Sequence, residues 1–154
     1  MSKFKKNRII AIIPARGGSK GIPGKNIIDF AGKPLLAWSI LQAKSSKMIS
    51  EVYVTSDSRQ ILEIAEKYGA RPILRPKNIA SDTASSESAL LHTLNQIKGK
   101  VDYIVFLQPT APLRKTNDID NAIKKIISEK TDSLLSLTKA YEFIWKKSSG
   151  RFIS

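Results

Sequence analysis

The tightest constraint on how this chain folds is a run of five apolar residues, Ile9-Ile10-Ala11-Ile12-Ile13, which stops at Pro14 and opens into A-R-G-G-S-K-G-I-P-G-K-N, Ala15 to Asn26. The run is short, rich in β-branched residues and uninterrupted by polar ones, which predicts a strand buried on both faces of a parallel sheet. Such a strand delivers the following loop to an edge of the sheet. Gly17, Gly18, Gly21 and Gly24 let the backbone approach a ligand closely, and Arg16, Lys20 and Lys25 bring positive charge to the same place. The combination suits a polyphosphate. It is neither a P-loop, since Ser19 and Asn26 stand where that motif needs Gly and Ser or Thr, nor a G-x-G-x-x-G turn. A basic surface loop without a ligand is the plainer alternative.

Beyond the loop, strand and helix patterns alternate. Ile27 to Phe30 reads as a short extended piece and Ala31 to Pro34 as a turn, with Pro34 opening a helix that carries Leu36, Ile40 and Ala43. Glu51 to Thr55 is a second strand, and Ser56, Asp57 or Ser58 can cap the next helix, whose stripe is Ile61, Ile64, Ala65 and Tyr68. Gly69 ends it. Arg71 to Arg75 is a third strand, placed near an edge by Pro72. A helix from Ser85 to Ile97 carries Leu90, Leu94 and Ile97. Val101 to Leu107 is the second most apolar strand and is expected beside the first, at the sheet centre. After a two-proline loop, Gln108 to Lys115, Thr116 is expected to cap a helix with Ile119, Ala122, Ile123, Ile126 and Ile127 inward, and Ser133 to Thr138 to form a fifth strand. The fold class is therefore α/β: an open, mostly parallel sheet with helices on both faces, Rossmann-like, with its ligand crevice beyond the carboxyl ends of the strands.

Composition narrows the partners. The 154 residues suffice for a single domain, 1–154, with a real core, at 42% hydrophobic residues. Lys and Arg number 26 against 13 Asp and Glu, a formal charge of +13 that fits an anionic partner of some kind. Many of these cations lie on solvated faces, no nucleic-acid-binding motif is present and aromatics are only 7%, so nucleic acid is not expected. The absence of Cys removes disulfides, thiolate nucleophiles and Cys-bearing zinc sites. With no apolar segment after the charged N-terminus and no run of membrane-spanning length, a cytoplasmic protein without membrane contact is expected. Tyr141, Phe143, Trp145 and Phe152 leave apolar surface near the C-terminus with no later element to cover it.

Loops after the first, third and fourth strands can converge on such a sheet. Arg75 followed by Ala80-Ser81-Asp82-Thr83-Ala84-Ser85-Ser86 puts a guanidinium and a hydroxyl cluster before a helix N-terminus. Helix capping explains one or two of those hydroxyls; the rest, with backbone amides, can read a nucleobase edge or a ribose. Gln108 ends the central strand with an amide that either contacts a polar substrate or braces its loop. Asp57 can bind metal or ribose, though an N-cap role is the simpler expectation. His92, the sole histidine, is placed toward solvent by helical spacing from Leu90.

Taken together, P-A-R-G-G-S-K-G-I-P-G-K-N, A-G-K-P-L-L-A-W-S-I, L-R-P, A-S-D-T-A-S-S and L-Q-P-T-A-P-L-R resemble the N-acylneuraminate cytidylyltransferase (CMP-sialic acid synthetase) family. The resemblance covers the N-terminal two thirds of a typical member. It implies the nucleotidyltransferase fold and a reaction joining CTP to a nonulosonic acid to give a CMP-sugar and pyrophosphate. It also implies nucleotide contacts from Ala15, Arg16, Gly17, Ser19, Lys20, Lys25 and Asn26, with cytosine read by Arg75, Ala84 and Ser86. The sugar would meet Asn26, Gln108 and Lys146. Arg16 and Lys25 would be catalytic, stabilising charge on the phosphates. Two departures stand out: Ile144 where the family often has Pro, and Ala111 where Ser is common. The resemblance further implies Mg²⁺ with the CTP, held by carboxylates of an I-D-x-x-x-D-like stretch beyond residue 154, and a homodimer for the full-length protein. A different keto-sugar acid, such as legionaminic, pseudaminic or 3-deoxy-octulosonic acid, and a non-catalytic CTP-binding fragment are the alternatives.

Overall fold

The computed structural model describes residues 7–19, 21–81 and 84–139, together with the backbone of 146–148 and 151–153. Four parallel strands make its sheet: β1 (Ile9–Pro14), β4 (Glu51–Ser56), β5 (Arg71–Leu74) and β6 (Tyr103–Phe106), in the order β5-β4-β1-β6. A two-residue hairpin, β2 (Asp29–Phe30) and β3 (Lys33–Pro34), precedes α1 (Leu35–Ser45). The helices α2 (Arg59–Lys67), α3 (Ser86–Gln96) and α4 (Asp118–Glu129) follow in turn, and Lys146–Ser148 pairs with Arg151–Ile153 as a separate antiparallel hairpin.

The continuous apolar run makes sense once both faces of β1 are covered. Successive side chains of a strand point to opposite faces. Ile9, Ala11 and Ile13 meet Leu36, Ile40 and Ala43 of α1, Ile61 and Ala65 of α2, and Ile119 and Ile123 of α4. Ile10 and Ile12 meet, with Tyr53, the Leu90-Leu94-Ile97 face of α3. No residue from Ile9 to Ile13 is more than 2% exposed. Burial of that depth stabilises by roughly 1.5–3 kcal/mol for each isoleucine side chain, which is why this strand anchors the sheet.

Several expectations hold. Pro72 does lie on an edge strand, because β5 pairs only with β4 among the described strands. Gly69, at φ +83°, ends α2. Others are corrected. β6 pairs with β1 in register Ile9↔Tyr103 to Ile12↔Phe106, as expected, but it closes the described sheet and is not central; Ile104 and Phe106 are each 38% exposed. The expected strand from Ser133 to Thr138 is not formed, and Leu135 and Leu137 stand in solvent. Strand character needs a paired neighbour, and among the described residues none lies against this segment. Pro34 is the N-cap of α1 and not its first helical residue. Asn117 precedes α4 where Thr116 was expected, and the Asp118 carboxylate accepts the Lys115 N–H at 2.8 Å. His92 is half-buried where a solvent-facing position was expected, and its Nδ1 is enclosed without a partner.

Candidate active site

The parallel arrangement fixes where the loops go. In register, Pro14 lies beside Thr55, and Ser56 beside Leu74, so the chain leaves β1, β4, β5 and β6 at one edge of the sheet. That edge carries a cleft of about 250 Å³.

The loop after β1 is shaped by two glycines. Gly24 takes φ +62°, and its carbonyl accepts the Ile27 and Ile28 N–H groups at 2.8 and 3.1 Å, coiling Lys25–Ile27 into a 3-10 turn. The turn brings Lys25 to the cleft and buries Asn26, whose Nδ2 donates to the Arg16 carbonyl at 2.9 Å. Asn26 therefore ties the two ends of the loop together. At Gly17 the reason is space: an added Cβ would stand 3.0 Å from the Cβ of Ser58. The Gly17 N–H donates to Asp57 Oδ1 at 2.9 Å, and the Ser19 N–H to the Gly17 carbonyl at 3.2 Å. One correction follows. Ser58 and not Asp57 is the N-cap residue of α2, and the Asp57 carboxylate instead braces the loop. Neither Ala15 nor Gly17 lines the cleft: Ala15 is buried and extends the ladder to the Thr55 carbonyl at 3.0 Å. Of the loop's described residues, Arg16, Ser19, Lys25 and Asn26 line the cleft.

Arg75 comes from the end of β5, its N–H held by the Ser56 carbonyl at 2.8 Å. The side chain is only 6% exposed and its Nε has no protein partner. Burial pulls its pKa down, Asp57 works in the opposite sense, and the neighbouring Arg16 lowers it further. A desolvated guanidinium with an unused donor beside a second guanidinium is stabilised by an incoming acceptor. Along the adjacent rim, Ser85 caps α3 by accepting the Ser88 N–H at 3.2 Å, and Ala84, Ser85 and Ser86 all line the cleft. Ser85 therefore both caps the helix and faces the cleft, and the other described hydroxyls there are not used for capping.

Gln108, just past the end of β6, also lines the cleft. The structure gathers Arg16, Ser19, Lys25, Asn26, Arg75, Ala84, Ser86 and Gln108 around one volume. Lys20 and the Lys146 side chain lie outside the described residues. Sequence reasoning overlooked Arg114, which lies behind Gln108, and the bracing role of Asp57. The signal for Asp57 was topological, since it is the first residue after β4, at the same edge as the glycine loop.

Among the described residues no carboxylate lines the cleft, and no three His, Cys, Asp or Glu stand close enough to hold a metal ion. The adjacent Asp57 carboxylate is already committed to Gly17. These residues do not form a site for a resident Mg²⁺. None of the described helices is long and apolar enough to cross a membrane.

Residues 10–144 match the family model for cytidylyltransferases. The chain belongs to that family. It is 44% identical over 137 residues to a pseudaminic acid cytidylyltransferase of Campylobacter jejuni, covering 84% of this chain and 58% of the relative. It is 43% identical over 136 residues to the N-acylneuraminate cytidylyltransferase of Escherichia coli, covering 88% of this chain and 32% of that protein. A Legionella pneumophila CMP-N,N'-diacetyllegionaminic acid synthase is likewise 43% identical, covering 76% of this chain and 52% of the relative. The chain thus spans about half the length, or less, of the curated relatives it matches. The fold agrees with that of a CMP:2-keto-3-deoxy-manno-octonic acid synthetase, at a TM-score of 0.71, 22% identity, and coverage of 80% of this chain and 49% of that one.

Proposed function

We propose that the cleft binds CTP and that the protein transfers its cytidylyl group to a nonulosonic acid, releasing pyrophosphate. The observation that carries this reading is the meeting of Arg16, Lys25 and Arg75 around one volume, with no carboxylate among the described lining residues. Three cations facing one cavity suit a triphosphate. The relatives named for CMP-sugar synthesis supply the nucleobase and acceptor class.

In this reading the acceptor's anomeric hydroxyl attacks the α-phosphate in line with the departing pyrophosphate. Charge builds on the phosphate oxygens, where Arg16 and Lys25 stand to meet it. Ser86, Ala84 and Arg75 hold the nucleoside end, and Gln108 faces the sugar. Lys20 and Lys146 would add contacts to the triphosphate and the sugar. Positioning and electrostatics carry such a transfer without a covalent nucleophile. A Mg²⁺ bound with the CTP would neutralise phosphate charge, and no set of carboxylates among the described residues would hold it.

The acceptor is N-acylneuraminate in the primary reading. Pseudaminic and legionaminic acids are the specific alternatives, because relatives named for all three match at 43–44% identity. Pyrophosphate release by the intact protein, with CTP and a panel of these acids, tests both levels. Release with one acid only identifies the acceptor. CTP binding with no release on any acid would favour a non-catalytic nucleotide-binding role. A cytoplasmic homodimer supplying CMP-sugar for cell-surface polysaccharide completes the proposal, with the dimer checked by sedimentation.

A further inference from the structure

Behind Gln108 lies a side-chain cluster that the functional reading leaves unused. The Gln108 carbonyl accepts three hydrogen bonds: from Ser39 Oγ at 3.2 Å, from Arg114 Nη2 at 3.0 Å and from the Ala111 N–H at 3.2 Å. Arg114 also donates through Nη1 to Ser39 Oγ at 3.1 Å and to Gln42 Oε1 at 3.0 Å, while Gln42 Nε2 donates to the Pro112 carbonyl. Ser39 is fully buried on α1, so the anchor of this network is a helix packed directly on the sheet. Asp118, at the start of α4, lies near enough to act electrostatically on the half-buried Arg114 guanidinium.

The arrangement is informative because loops do not ordinarily recruit a guanidinium to a single carbonyl. The segment from Gln108 to Lys115 contains two prolines and no strand or helix, and its first residue, Gln108, lines the cleft. A planar fork reaching two backbone-anchored groups of α1 and the Gln108 carbonyl together converts the loop into a rigid extension of α1. An ammonium cannot span those acceptors in the same way.

We propose that Arg114 is the positioning residue of the acceptor end of the cleft: it locks the Gln108 backbone to α1, so that the Gln108 amide is aimed before the sugar acid arrives. This rests on the assignment of Gln108 to the sugar. Arg114 itself is not among the described residues that line the cleft.

Arg114→Lys and Arg114→Ala in the intact protein test it in two independent ways. The first is hydrogen exchange, which needs no turnover: both variants are expected to speed exchange of the amides from 108 to 113 while leaving β1 and β4 protected as in wild type. Unchanged exchange in that segment, or a loss of protection throughout the sheet, overturns the proposal. The second is kinetic. The KM for the sugar acid is expected to rise on the order of tenfold or more, with the CTP dissociation constant within about twofold of wild type, and adding Gln108→Ala is expected to contribute little more. Equal weakening toward CTP and sugar, or additive effects of Arg114 and Gln108 substitutions, rejects the positioning role. If the wild-type protein turns over no nonulosonic acid while exchange at 108–113 still responds, the functional reading fails and the structural lock stands.

Discussion

The two edges of the sheet treat their cations in opposite ways. At the edge where the strands begin, Arg8 and Arg71 both pair with Glu51, through Glu51 Oε2 at 2.6 Å and Oε1 respectively, and Lys100 pairs with Asp102 at 3.2 Å. At the edge where the strands end, Arg16, Lys25 and Arg75 line one cleft, with no acid among its described lining residues and Asp57 set behind the loop. Positive charge that is matched locally holds a fold together. Positive charge gathered around an open volume raises the local concentration of an anion, at some cost to stability.

Four substitutions would break or sharpen this contrast. The largest effect is expected from Arg16→Ala, which should lower kcat/KM of the intact protein on the order of 10²-fold or more with little change in melting temperature. A variant as active as wild type would remove Arg16 from the chemistry. Next is Arg75→Met, which replaces a desolvated guanidinium by an apolar chain. It should raise stability by about 1 kcal/mol or more while weakening CTP binding about tenfold. Loss of stability together with affinity would instead place Arg75 with the structural cations. Gly24→Ala follows. Its added Cβ has room, 3.6 Å from Ile27 Cγ1, so the penalty is the left-handed backbone alone, about 1–2 kcal/mol. Denaturant titration and CTP titration should move together, since the strain sits in the loop that presents Lys25.

The smallest effect belongs to the matched edge. Burial tends to raise the Glu51 carboxyl, but the hydrogen bond from Arg8 and the charges of Arg71 and Arg8 carry it below its ordinary value of 4.5. A carboxylate lowered on folding contributes stability above its unfolded pKa and loses it as the pH falls through the folded one. Glu51→Gln should therefore cost about 1 kcal/mol or less at neutral pH, flatten the acid limb below about pH 4.5, and leave CTP affinity untouched. Asp120 behaves alike in the wild type: burial opposes its ionisation, and the Ser46 hydroxyl and Lys47 N–H more than compensate. Some acid sensitivity persists in the Glu51 variant for that reason.

Much of the scaffold and cleft was legible before any coordinates. The Ile9 to Ile13 run predicted a strand covered on both faces, and the Leu90-Leu94-Ile97 stripe predicted the face that α3 turns inward. Glycine spacing located the loop, and the rule that parallel strands open ligand sites at their carboxyl ends brought its residues together with Arg75 and Gln108. Failures cluster where the deciding partner is distant in sequence. Asp57 looked like a cap because capping is local, whereas the group that it binds is 40 residues away. Thr116 failed for the converse reason: Asn117 stands at the cap and the Asp118 carboxylate took the nearby N–H.

What the sequence determined by itself is what short-range chemistry encodes: which segments are apolar at period two or near four, where glycine permits a turn, and which loops concentrate charge. What only the tertiary structure decided is which groups remain unsatisfied once everything else has paired. Arg75 Nε is left with no acceptor, the Gln108 carbonyl has three donors, and β6 lies at the border of the described sheet. The physical reason is that a hydrogen bond or a desolvated charge depends on atoms brought together by the whole chain, and no local pattern carries that information.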